Sequence, residues 1–253
     1  MNARCIAITT LAMTLSLAAL TAIGRAETDT GRSSEKVFVR WQHAPLVESL
    51  EPEDAATRSG RKVLRKLADI RATARDTWYR HKTQVNRKKG VYAWDCSGMT
   101  TWILERAAPR ARKALNRDRP VATTFLDAIL RAPTDKPRRG WQQIANIEDV
   151  RPGDVFAWKR PEEWGKGVTG HVGFVASRPA PLDDVDNAYV VRIIDSTRYP
   201  HGDDTRGSGE TGFGLGTVLF VTDENGRPTA YGWHGPYSRG VVPTAVAFGR
   251  VSR

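Results

Sequence analysis

The apolar residues of this 253-residue chain change their spacing near residue 140, and this change limits the folds available to it. From Asp54 onwards they recur every three or four residues, which is the period of an amphipathic helix. Beyond residue 140 they form short runs rich in Val, Ile, Phe and Tyr, separated by Gly, Pro and Asp turns, which is typical of strands. This order predicts an α+β fold, with N-terminal helices packed on a C-terminal antiparallel β-sheet.

Three helices are expected at defined positions. The first runs from about Asp54 to near His81, where the histidine would complement the C-terminal end of the helix dipole. The second starts around residue 95 or 96, with Met99 on its buried side, and is ended or kinked by Pro109. The third covers about residues 121–131.

Six strands are expected after the helices, at residues 154–159, 171–177, 189–195, 217–222, 229–234 and 242–251. Asn225-Gly226 predicts a hairpin between two of them, because both positions of a tight two-residue turn need positive φ. The Gly-rich segment 207–216 is expected to form a polar loop, which either makes turns or covers a cleft. Residues 199–253 would then extend the sheet.

The first 26 residues have the features of a cleaved export signal. Arg4 provides the charged start, residues 6–23 are apolar and small, and Gly24-Arg25-Ala26 offers a cleavage site. The alternative is a membrane anchor, but the threonines and alanines make this stretch a weak one. We therefore expect a periplasmic or secreted protein, with a flexible or extended lead at residues 27–52 and one large folded domain at residues 53–253.

The chain is basic, with a formal charge of +11, and loss of Arg4 and Arg25 with the signal leaves +9. A basic exported protein attracts anionic polymers and surfaces. No nucleic-acid-binding motif accompanies the charge, and the cations are spread over predicted helices, so most of them are interpreted as solvated faces. We expect no nucleic-acid partner.

Cys96 is the residue that most directly suggests chemistry. The other cysteine, Cys5, lies in the predicted signal, so the mature protein would carry one thiol in a compartment that oxidises thiols. Asp95 before it is a good helix N-cap, and a helix N-terminus favours the thiolate form that attacks. The sequence therefore predicts a nucleophile, against the alternative of a small buried apolar residue.

His171 is the predicted general base. It begins a buried strand and is flanked by Gly170 and Gly173, which allow another backbone or a substrate to come close. Asp195 ends the next predicted strand, so a hairpin would place its carboxylate beside the imidazole and hold the required tautomer. Asn187, His201 and His234 are the alternatives for this third position.

Three motifs in this order resemble the NlpC family of papain-like cell-wall cysteine peptidases: Asp95-Cys96-Ser97-Gly98, Pro152-Gly153-Asp154-Val155 and Gly170-His171-Val172-Gly173. Amidase-peptidases of the CHAP type share the order of cysteine and histidine. The resemblance covers about residues 79–197 and implies a papain-like fold and hydrolysis of amide bonds in peptidoglycan stem peptides, without a cofactor.

Carried over by position, the resemblance implies that Cys96 is the nucleophile and His171 the base. Asp195 stands where the family commonly has a histidine. Tyr92 corresponds to a tyrosine that lines the family's site, although its spacing to the cysteine is shorter than usual, and Asp95 and Ser97 complete the expected substrate-binding set.

Two other functions stay open at this point. One is a non-catalytic cell-envelope protein that binds an anionic wall polymer, and the other is acyl transfer to an amine in place of hydrolysis. A metal site built from His201, Asp203 and Asp204 was weighed and set aside, because these ligands cluster on one loop and lack a second pair.

Overall fold

The computed structural model describes residues 50–165, 167–183, 185–233, 235 and 237–253. The predicted signal at 1–26 and the predicted lead up to residue 49 lie outside these residues, as does His234. The described part of the chain is mixed α and β, with four α-helices and a large antiparallel sheet. The predicted α+β class is confirmed at this level. Within the described residues, none of the helices has the length and apolar character needed to cross a bilayer.

The helices occupy the first half of the described chain and the strands mainly the second. The α-helices are α1 (Arg58–Thr73), α2 (Cys96–Ala107), α3 (Pro109–Ala114) and α4 (Ala122–Leu130). The strands are β1 (Asp76–Tyr79), β2 (Gln84–Asn86), β3 (Val91–Trp94), β4 (Trp141–Ile144), β5 (Val155–Lys159), β6 (Gly170–Val175), β7 (Ala180–Pro181), β8 (Ala188–Thr197), β9 (Gly212–Thr222), β10 (Pro228–Trp233), β11 (Val241–Pro243) and β12 (Val246–Val251).

The predicted first helix is too long at its C-terminal end. Helix α1 stops at Thr73, and Trp78 lies on β1, which pairs in parallel with β3 in a small three-stranded sheet. His81 therefore follows a strand and does not cap a helix. The carbonyl of Gly90 (φ +68°) accepts from the amides of Arg75 and Asp76, and this local pairing replaces the helical bonds.

The main sheet has the order β11-β10-β9-β8-β6-β5-β12-β4, with β7 on β8, and every pair in it is antiparallel. The predicted strand 242–251 is in fact two strands, β11 and β12, six places apart in this order. Thr244 lies between them, with its amide bonded to Thr229 (3.1 Å) and its hydroxyl to Lys159 (2.9 Å). The sheet must therefore curl until β10 approaches β12.

Two apolar clusters fill the two sides of the curled sheet, as expected from the alternation of side chains along a strand. One packs the helices against Val155, Ala157 and Val172. The other fills the interior of the curl, where the rings of Phe220 on β9 and Phe248 on β12 lie 4.9 Å apart. Both clusters hold β5 and β6 rigidly in the middle of the fold.

The motif Pro152-Gly153-Asp154 joins the helices to the sheet. Gly153 has φ +86°, and a Cβ there would lie 2.8 Å from the carbonyl oxygen of Gly60, so this turn packs directly on α1. The carboxylate of Asp154 accepts from the guanidinium of Arg250 on β12 at 2.8 and 3.1 Å. This motif is structural, because it fixes where β5 starts.

Candidate active site

Cys96 is the first residue of α2, as predicted. Asp95 is the N-cap, and its Oδ1 accepts from the backbone N–H of Gly98 (2.7 Å) and from the hydroxyl of Ser97 (2.8 Å). The remaining first-turn N–H groups have no partner within the helix, so they favour negative charge at the sulfur. The thiol is reduced, and the residue is 7 % exposed.

His171 lies on β6, opposite Trp158 on β5, and its ring packs 5.0 Å from that indole. Helix α2 packs on β6, which brings the sulfur of Cys96 close enough to the imidazole to act on it electrostatically. Burial lowers the pKa of His171, but the sulfur of Cys96 and the carboxylate of Asp195 outweigh burial and raise the pKa to about 10. The imidazolium form is therefore stable beside the sulfur.

Asp195 lies on β8, which pairs with β6, and its Oδ2 is 2.6 Å from Nε2 of His171. The hairpin geometry expected from the sequence does bring these two side chains together. Because Nε2 faces the carboxylate, Nδ1 is the nitrogen of His171 that is free to face the sulfur. The imidazole of His171 thus has Asp195 on one side and the helix start that carries Cys96 on the other.

Two further buried side chains hold Asp195. Nε2 of His201 lies 2.6 Å from the same Oδ2, and Nη1 of Arg206 lies 2.9 Å from Oδ1, an ion pair that lacks hydrogen-bond alignment. Arg206 is held in turn by the carboxylate of Asp204 at 2.6 and 2.7 Å. His201 is one of the alternatives for the third catalytic position, and it contacts Oδ2 of Asp195, the oxygen that also faces His171.

The charges in this cluster follow from its contacts. Burial raises the pKa of Asp195, but His201 and Arg206 outweigh it, together with the hydrogen bond to His171, and hold the pKa well below its usual range. Burial is the main cause that lowers the pKa of His201. The Nε2 proton of His201 faces the carboxylate, which agrees with a buried Nδ1 that has no hydrogen-bond partner among the described residues.

Sequence reasoning missed Arg206, and it predicted a loop where β9 begins. A Cβ at Gly214 would lie 2.6 Å from the side chain of Arg206, and a Cβ at Gly216 would lie 2.5 Å from that of His201. The alternate glycines of β9 are therefore the space into which these two side chains fit. Glycine at every second position beside a histidine and an arginine is the signal that could have revealed both.

The donor set His171, Asp195 and His201 has one ligand atom each within 4.8 Å of one another, so it was tested as a metal site. Both Nε2 atoms lie 2.6 Å from Oδ2, whereas two ligands of one Zn²⁺ at bond lengths of about 2 Å lie about 3 Å apart. The guanidinium of Arg206 also faces the carboxylate. This arrangement fits a hydrogen-bonded cluster and does not fit a cation.

Tyr92 and Ser97, expected to bind substrate, and Asn187, an alternative for the third catalytic position, form contacts or turns within the fold. Tyr92 is 1 % exposed and bonded to the hydroxyl of Thr73 (2.8 Å), so it belongs to the core and does not line the site. The hydroxyl of Ser97 donates to the cap residue Asp95, and its role in binding substrate stays a prediction. Asn187, with φ +59°, lies before β8 at the end away from Asp195.

A cleft of about 790 Å³ opens beside His171. Tyr79 and His81 line it on the α2 side, and Nδ1 of His81 lies 3.3 Å from Oδ2 of Asp95. Burial, followed by the charges of Cys96 and Asp95, raises the pKa of Tyr79, so its hydroxyl stays a proton donor. Tyr79 thus lines this cleft, whereas Tyr92 does not.

Comparison with protein-family models, with curated proteins and with solved structures finds no match.

Proposed function

We propose that this protein is a cysteine hydrolase that cleaves amide bonds through an acyl-thioester. The observation that carries the proposal is the position of Cys96 at the start of a helix packed on the strand of His171, with His171 bonded to Asp195 next to an open cleft. A nucleophile, a base and a carboxylate that orients the base are the parts that acyl transfer requires. The position of Cys96 at the start of a helix adds backbone N–H groups able to stabilise an oxyanion.

The reaction follows from these positions. The sulfur of Cys96 attacks the scissile carbonyl, a C–S bond forms, and the oxyanion faces the first turn of α2. His171 gives its Nδ1 proton to the leaving amine as the C–N bond breaks. Water then attacks the thioester while His171 accepts its proton, and the thiolate is released. Asp195 stays ionised throughout and holds Nε2–H of His171.

Peptidoglycan stem peptides are the proposed substrates, and a papain-like architecture is the proposed fold. Both proposals rest on the resemblance to the NlpC peptidases. They are supported by the packing of helix α2, which starts at Cys96, against β6 and β8, the paired strands of His171 and Asp195. The export signal proposed at residues 1–26 would place the enzyme in the periplasm or outside the cell, where these peptides occur.

The direct test compares wild-type protein with Cys96→Ala on defined stem peptides, with products identified by mass spectrometry. Wild type should release new amines and the variant should release none. Equal product release by both would remove the proposal. An added amine acceptor reports on acyl transfer, because a transferase would give the acceptor conjugate in place of the free acid.

If the protein were a non-catalytic polymer-binding protein, the thiol of Cys96 would have an ordinary reactivity. Alkylation of Cys96 by iodoacetamide should proceed well below pH 8 if His171 activates the sulfur. A merely structural thiol would react slowly with iodoacetamide until the solution became alkaline. In that case salt would weaken the binding of the protein to the anionic polymer and would change no other property. Peptide mapping separates Cys96 from Cys5 in this experiment.

A further inference from the structure

The cleft beside His171 is lined by cations and aromatic rings. Three arginines line it, Arg160, Arg198 and Arg239, and its described lining includes no Asp or Glu. A cleft with charges of one sign and apolar walls concentrates its electrostatic potential and attracts ligands of the opposite sign. The charge of the lining is therefore positive only, and cleavage of an amide bond does not by itself require this.

None of these three arginines forms an ion pair with a carboxylate of the described residues. The guanidinium of Arg198 lies 5.2 Å from the ring centre of Tyr79, and that of Arg239 lies 4.8 Å from the ring centre of Trp164. Arg160 donates to the carbonyl of Trp164, and its Nε is buried with no partner. Rings and carbonyls orient these groups but leave their charge uncompensated.

The arginines occupy two places in the cleft. Arg198 follows β8, the strand of Asp195, and faces Tyr79, whose hydroxyl is within electrostatic range of Cys96. Arg160 and Arg239 meet at Trp164. A guanidinium presents a planar pair of donors that matches a carboxylate, so each place suits one carboxylate of a bound molecule.

We propose that the cleft selects anionic acyl substrates, which carry a carboxylate near the carbonyl attacked by Cys96 and a second one toward Trp164. Arg198 is the counter-ion on the thiol side, and Arg160 with Arg239 forms the second subsite. This inference rests on the proposed hydrolase function and adds to it the charge of the substrate. Uncharged peptides of the same length should be poor substrates.

The test uses two alkylating agents of nearly equal size, iodoacetate and iodoacetamide, which differ in charge. The rate ratio of iodoacetate to iodoacetamide is measured at Cys96 in the full chain by peptide mass spectrometry, and again on the urea-unfolded chain. We expect the ratio to be roughly three- to tenfold higher in the folded protein, since one nearby cation has an effect of this size. Raising the salt concentration should reduce the difference.

Substitutions of single arginines test whether the raised rate ratio comes from the cleft. Arg198→Gln should return the ratio toward that of the unfolded chain, whereas Arg198→Lys should keep most of it. Arg117→Gln removes the same charge from an exposed position between α3 and α4 and should leave the ratio unchanged. For the second subsite, Arg160→Gln and Arg239→Gln should raise KM more for a dicarboxylate peptide than for its carboxamide analogue.

The outcomes separate the two proposals. Rapid reaction of Cys96 with iodoacetamide, together with a ratio equal to that of the unfolded chain, overturns the charge selection and leaves the nucleophile in place. No enhancement with iodoacetamide below pH 8 overturns the hydrolase function, and the substrate class falls with it. An elevated ratio that Arg198→Gln abolishes and Arg117→Gln preserves supports the proposal.

Discussion

Nη1 of Arg206 lies 2.9 Å from Oδ1 of Asp195, and both side chains are withdrawn from solvent. The carboxylate therefore has its counter-ion on the side away from the imidazole of His171. A buried charge that loses its partner destabilises a fold strongly. The pair therefore helps to keep Asp195 ionised, together with His201 and His171.

Arg206→Met should identify Arg206 as a positioning residue. The substitution leaves Asp195 without its counter-ion, so the free energy of unfolding should fall by about 3–5 kcal/mol. In the protein that still folds, the pKa of Asp195 should rise, and the acid limb of the pH–activity profile should move to higher pH. Arg206→Lys should restore part of this limb. An unshifted acid limb in folded Arg206→Met would show that Arg206 supports the fold alone.

His171 should stay protonated up to about pH 10 in the wild-type protein, as followed by NMR of the labelled imidazole. The pKa is raised above its unfolded value near 6.5, so this contribution to stability is fully present below about pH 6.5 and is lost as pH rises through about 10. Cys96→Ala should lower the pKa, because the sulfur is the largest cause that raises it. Titration of wild-type His171 near pH 6.5 would contradict the arrangement.

Tyr79→Phe removes a hydroxyl that stays protonated beside Cys96 and Asp95 and leaves the ring. We expect kcat/KM on stem peptides to fall about ten- to a hundredfold, somewhat less than for loss of a donor that contacts the oxyanion directly. Tyr237→Phe is the matched control, since Tyr237 lines the same cleft but is 54 % exposed. Similar small effects of both substitutions would remove Tyr79 from the reacting end of the cleft.

Gly173→Ala should disturb the strand that carries His171. A Cβ at this position would lie 2.6 Å from the carbonyl oxygen of Ile194 and 2.8 Å from the ring of Phe156. Urea denaturation should show a loss of about 1–3 kcal/mol, as for overpacking in other cores. Gly207→Ala meets a flexible glutamate side chain at 3.3 Å and is the control. If both variants unfold at the wild-type urea concentration, the packing between β6 and β8 is looser than described.

Periodicity located most of the fold. Each of the following features has a local signal: α1 has one apolar face, α2 starts after the N-cap Asp95, and the strands of His171 and Asp195 are runs rich in Val, Ile, Phe and Tyr. The end of α1 has no such signal, since Trp78 continues the helical spacing while strand pairing with β3 determines its conformation. Tertiary pairing overrides local preference at such boundaries.

The site was accessible to the same extent. Helix capping indicated the position of Cys96 at a helix start, and hairpin geometry indicated that His171 and Asp195 lie side by side. Both signals are local in the sequence. The contact of Arg206 with Asp195 could not be inferred, because it depends on the space above Gly214 and on a turn that returns the chain to β8 and β9. The glycines flanking His171 were interpreted as room for a backbone or a substrate, and Gly173 serves the backbone of Ile194.

Strand β12 lies between β5 and β4, although it follows both by a long stretch of sequence. During synthesis the nascent chain must therefore hold two incompletely paired strands apart until residues 246–251 arrive. Such a late, non-local closing step slows folding and leaves apolar strand edges exposed in the growing chain. The topology that builds the cleft thus also leaves part of the main sheet unpaired until its last strand has been made.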